Sequence, residues 1–135
     1  MKYLPNIVGG LLGLLFVASA VMFFLIVKGI VQSPQPPPPE GSFAALFMGA
    51  FIPSGYMYFV KVFEVLGGIL VAIPRTRNMG LLILGPIIIN ILAFHAFILK
   101  GQDLFSPPIV IIVVAALYLL WSGRKAFAGL LQRPA

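Results

Sequence analysis

YMYFVKVFEVLGGILVAI, residues Tyr56–Ile73, is long enough to cross a bilayer as a helix, yet it carries Lys61 and Glu64 inside its apolar run. Near a helix centre each such charge costs roughly 2.5–3.5 kcal/mol on insertion scales, and more when unpaired. A leucine at either position avoids that cost. What the two charges face therefore decides how the rest of the chain is read.

The composition around this stretch sets the class. Of 135 residues, 61% are hydrophobic and only 9% charged, with a mean hydropathy of +1.10. A soluble domain has about a quarter of its residues charged, so there is too little polar surface here to cover a soluble fold. The expectation is an all-α integral membrane protein of the inner (plasma) membrane, forming a single domain over 1–135. The length allows about four spans of roughly 20 residues with short loops. The net charge of +6 gathers at span ends, where it sets orientation, and does not point to nucleic acid. With no cysteine, the chain has no disulfide, no CxxC centre and no thiolate ligand, and one histidine with three acidic residues makes no metal site.

Outward from the central stretch, four spans are expected at about 4–31, 56–73, 79–99 and 107–121. The first competes with a signal-peptide reading, in which Lys2 is the basic region and Ala18-Ser19-Ala20 the cleavage site. The apolar run continues unbroken past that site, so a retained helix is expected. Gly9 and Gly13 in it form a small-xxx-small pair suited to close helix contact. Ser33–Gly41, SPQPPPPEG, cannot be helical and reads as an extended aqueous loop, a stiff spacer or a docking ligand. Residues 43–52, capped by Ser42, are apolar but too short to span and read as an interfacial helix lying like a lid over one end of the bundle. Pro107 and Pro108 suit the first turn of the last span, Tyr118 reads as packing, and Trp121 reads as an interface anchor before a basic tail. Lys2, Arg75, Arg77, Arg124, Lys125 and Arg133 then place both termini in the cytoplasm, by the positive-inside rule.

Depth counting groups the polar residues. At ~1.5 Å per residue, Lys61 lies ~9 Å and Glu64 ~14 Å below the outer end of their span, while His95 lies ~6–8 Å and Asn90 ~14–15 Å below the outer end of the next. Lys61 and Glu64, three apart, share a face and can pair, and Gly68 continues their stripe. Asn90 and His95 are five apart, about 140° around a helix, so they should not both point at the same neighbour unless Pro86 kinks the span. The candidate ligand-binding set is Tyr56, Lys61, Glu64, Asn90 and His95, a polar pocket in the outer half of the bundle. It could hold a quinone headgroup or another small polar ligand, or carry protons. The competing reading is a satisfied polar network that only fixes helix register.

At these residues the sequence resembles the DoxX family of small bacterial and archaeal membrane proteins. The resemblance rests on the proline-rich first loop before FAALFMGAF, on GYMYFVKVFEVLGGILV, on LGPIIINILAFHAFI, and on Tyr118 ahead of the basic tail. It implies a four-helix membrane bundle with motif residues Lys61, Glu64, Gly68, Pro86, Asn90 and His95. It also implies a link to quinone-dependent redox metabolism, since the family is named for the small subunit of an archaeal thiosulfate:quinone oxidoreductase. The expected role is an accessory subunit with no catalytic activity of its own. It would carry no covalent cofactor and would use quinone as its ligand. Its surroundings would be the lipid bilayer, a membrane or periplasmic redox partner subunit, or a second copy of the chain. The alternatives are a small-molecule or proton permeation protein and a purely structural membrane scaffold.

Overall fold

A computed structural model describes residues 2–132, and Arg133, counted above with the tail, lies outside the described residues. Every regular element among the described residues is helical: α1 Leu4–Val27, α2 Phe43–Phe51, α3 Tyr56–Ala72, α4 Arg77–Ala93, a π-helical turn Phe94–Ile98, α5 Pro107–Ser122, α6 Arg124–Ala128 and a closing 3₁₀ turn Gly129–Leu131. α1 and the continuous Arg77–Ile98 helix are each long and apolar enough to cross a membrane. Counting the bent pairs α2–α3 and α5–α6 as one span each raises the number to four.

Local chemistry explains the boundaries. The first helix stops at Val27, four residues before the expected end at 31, because Gly29 takes a left-handed φ of 77°. The Gly29 amide donates to the Ile26 carbonyl and the Ile30 amide to the Leu25 carbonyl, closing the last turn as a Schellman motif. Ser42 caps α2 as expected, its hydroxyl accepting from the Ala45 amide at 3.2 Å. Gly55, at φ 87°, turns the chain through 83° between α2 and α3, so α2 lies across the end of the α3 axis. α4 begins at Arg77, two residues before the expected start of that span at 79. Pro86 sits inside α4 without ending it, and a π-helical turn follows at 94–98. Pro107 opens α5 as anticipated.

α1 packs on α3 and α5, and α4 packs on the same two helices, so the four long helices form a ring. Leu12, Phe16, Val71, Leu81, Leu84, Ile88, Ala116 and Leu119 fill its centre, with Tyr118 packed against them. Glycine sets how closely the helices approach. A Cβ on Gly13 would collide with the Gly68 carbonyl, and one on Gly68 would sit 2.9 Å from the Gly13 carbonyl oxygen. On the other side of α3, a Cβ on Gly80 would collide with the Val71 amide and sit 2.9 Å from the Gly67 carbonyl oxygen. The Gly67-Gly68 pair thus lets α3 touch α1 and α4 backbone to backbone, using the van der Waals contact that holds apolar helices together where water is scarce. Arg77 closes this end: its Nε donates to the Val71 carbonyl at 3.3 Å and its Nη2 to Asn6 Oδ1 at 3.0 Å.

Candidate functional site

Toward its N-terminus α3 exchanges glycine for bulk, and the helices part. The space left between α2, α3, α4 and the π-helical turn is a cavity of about 810 Å³, within the range of small-molecule sites. Tyr56, Lys61, Glu64, Asn90 and His95 all line it. Asn90 and His95 share this wall despite the angle between them, because the cavity curves around a broad arc of α4 and its π-helical extension instead of meeting it along one line.

Glu64 is the centre of the site. It is the buried charged residue of the described chain, 3% exposed. Lys61, one turn earlier on α3, brings its Nζ to 2.9 Å from Glu64 Oε2. The same ammonium lies 5.4 Å from the centroid of the Phe23 ring on α1, a cation–π contact that draws it to one side. At that distance the ammonium partners the carboxylate oxygen, which is itself closed to solvent, so the pair neutralises its charge locally.

Asn90 bonds within its own helix. Its side chain is exposed to the cavity side, and its Nδ2 donates to the Pro86 carbonyl at 3.0 Å in its own helix, leaving Oδ1 as a free acceptor. His95, in the π-helical turn, is half-buried and has Nδ1 2.8 Å from the Ile91 carbonyl oxygen. A carbonyl can only accept, so this contact puts a proton on Nδ1. Tyr56 stands at the rim, 52% exposed, with its ring 4.7 Å from that of Phe51. No group of three metal-ligating side chains occurs among the described residues.

The aromatic wall was not anticipated from the polar pattern. Phe47 and Phe51 of α2 stack at 4.1 Å, Phe47 reaches Phe94 at 4.8 Å, and Phe59 and Phe63 of α3 lie 4.9 Å apart. The signal was present in two i, i+4 phenylalanine pairs, which share a face on any helix. These rings hold α2 over the cavity, and Lys100 adds a second tie by placing Nζ 5.3 Å from the Phe43 ring. Phe47, Met48 and Phe51 of α2 line the cavity on that side.

No family model and no solved structure matches the chain. A curated Bacillus subtilis (strain 168) protein described as the uncharacterized protein YwoB is 37% identical over 79 residues, which are 58% of this chain and 49% of that protein. The chain therefore spans about half the length of the curated relative it matches.

Proposed function

We propose that the chain is an integral membrane protein of DoxX type that crosses the membrane four times with both termini in the cytoplasm, and that its lidded cavity binds a small ligand with a polar head, a quinone being the leading class. In this reading it is an accessory subunit of quinone-linked redox metabolism, and the partner subunit carries the electron chemistry. The observation that carries the proposal is the Lys61–Glu64 pair: a 3% exposed carboxylate 2.9 Å from an ammonium, both among the residues that line a cavity of about 810 Å³ together with Tyr56, Asn90 and His95. Apolar residues of similar volume would hold helix register at no greater cost than a buried ion pair, so charges beside a cavity support a ligand role. Four spans are supported by the ring of α1, α3, α4 and α5 and by the crosswise angle of α2, which suits an interfacial helix.

The test is purification in mild detergent with native lipids, followed by extraction and chromatography of bound quinone. Quinone should accompany the wild-type protein and be lost from Glu64→Gln, while circular dichroism of the variant stays helical. Equal quinone content in both, or none in either, overturns the proposal. A reporter fused after residue 132 should be active on the cytoplasmic side.

A further inference from the structure

Charge is divided unevenly between the two ends of the helix ring. Lys2, Arg75, Arg77, Arg124 and Lys125 stand at one end, where α1 and α4 begin and α3 and α5 finish. The three acidic side chains, Glu40, Glu64 and Asp103, lie elsewhere, and Lys28, Lys61 and Lys100 match them in number. The net charge of +6 is thus the five cations of the basic end together with Arg133. Contacts draw their segments together. Arg77 Nη2 donates to Asn6 Oδ1 at 3.0 Å, which joins the start of α4 to the start of α1. A Cβ on Gly123 would sit 2.7 Å from Asn78 Oδ1, so the start of α6 lies against the same turn of α4. Like charges gathered without a carboxylate repel one another and attract an anion from outside the chain.

The same end also presents large apolar groups. The segment Arg124–Leu131 bends 72° away from α5. With α5 crossing the bilayer, that angle lays the segment toward the membrane plane. Phe127 packs it against the helix core, while Leu130 and Leu131 are 64% and 89% exposed. Trp121 stands at the bend, with the Arg124 guanidinium 4.3 Å from its ring centroid. Tryptophan beside arginine, followed by exposed leucines, suits the boundary between headgroups and acyl chains. A nucleic acid offers phosphate to the cations but no apolar partner for the leucines, whereas a phospholipid offers both.

Resting on the four-span reading above, we infer that this end of the ring binds anionic phospholipid. The cations take the headgroup phosphates, and Trp121 and Leu130 meet the adjoining acyl chains. Arg75 and Lys125, both exposed, present their charges to the headgroup layer. Arg77 is held in place by its bonds to the Val71 carbonyl and Asn6, so one positive charge of the surface is fixed before lipid arrives.

Trp121 is the single tryptophan of the chain and reports on this end alone. The full chain is reconstituted in vesicles that mix phosphatidylcholine with phosphatidylglycerol, one of the two brominated on its acyl chains in each series. Quenching of Trp121 then gives the relative occupancy of the two lipids beside it. A basic side chain near an anionic surface favours it by about fivefold, so phosphatidylglycerol should be preferred at least about fivefold at low salt. The preference should fall several-fold in about 1 M salt, where the screening length is about 3 Å. Arg75→Gln combined with Lys125→Gln should also lower it several-fold, with Arg124 still on the Trp121 ring. Lys28→Gln, at the opposite end, should leave it unchanged. Equal quenching by the two lipids overturns the anionic preference and leaves the four-span reading standing. An equal fall in Lys28→Gln overturns the assignment to this end. Inorganic phosphate that abolishes the preference, where chloride at the same ionic strength does not, overturns lipid as the ligand. Quenching by neither lipid overturns the four-span reading itself, because Trp121 then stands away from the bilayer.

Discussion

The two halves of α3 do opposite things with the same helix. From Gly67 to Ala72 it is pressed between α1 and α4 so tightly that a single methyl group has no room, and Arg77 ties the end shut. From Tyr56 to Glu64 it carries rings and charges and stands away from α4 across a cavity. The glycine end makes its stability from backbone contact and the bonds of Arg77. The other end gathers an ion pair, a histidine and an amide along a cavity. Close packing and cavity lining meet within one turn of the same helix, between Glu64 and Gly67.

That division is broken most severely by Lys61→Met. Removing one partner of a buried pair strands the other, at about 3–5 kcal/mol, and thermal unfolding in detergent should drop accordingly. Adding Glu64→Leu should recover all but about 1 kcal/mol, because two apolar residues at these positions have no polar group left to satisfy. If the double variant is as unstable as the single one, the pair is part of the fold and the cavity end is not free for ligand chemistry.

At the glycine end, Gly68→Leu should cost toward 3 kcal/mol, the upper range for overpacking, because the first added carbon already meets the Gly13 carbonyl and the Val17 and Phe16 side chains. Gly10→Leu is the matched control on α1, where nothing lies within 4 Å of an added Cβ, and it should be neutral or slightly stabilising, as glycine is a poor helix former. Arg77→Met should cost about 1–2 kcal/mol through its bonds to the Val71 carbonyl and Asn6, which are partly exposed. Equal effects of Gly68→Leu and Gly10→Leu in a thermal melt would show that backbone contact does not distinguish the closed end.

Much of this was open to inspection in the chain itself, and the parts that were not share a cause. The helices follow from apolar run lengths, the α2 cap from Ser42, and the Lys61–Glu64 contact from a spacing of three, all of which are local. Grouping Asn90 and His95 with that pair required only depth counting along two antiparallel helices. What stayed hidden depends on neighbours distant in sequence: the role of Gly67 and Gly80 against α4 and α3, the bond from Arg77 to Asn6 across seventy-one positions, and the π-helical turn that sets the His95 ring. Gly9 and Gly13 were visible as a pair, but only packing shows what they approach. The early end of α1 was a local miss, since Gly29 after a lysine is a familiar helix stop that the greasy continuation obscured.

The smallest expected effect is the sharpest test of where the two halves divide. Asn90 bonds only within its own helix and is exposed on the cavity side, so Asn90→Leu removes one hydrogen bond from Nδ2 to a carbonyl and strands no buried group. Its unfolding temperature should match wild type within the change expected for about 0.5 kcal/mol, as for surface substitutions away from packing features. Retention of quinone should nevertheless fall several-fold, because the amide leaves the wall and an apolar group takes its place. A loss of stability above about 1 kcal/mol with unchanged retention would move Asn90 from the ligand face to the scaffold. The polar residues of the cavity end would then have to be reassigned one at a time, beginning with His95, which is likewise bonded to a carbonyl of its own helix.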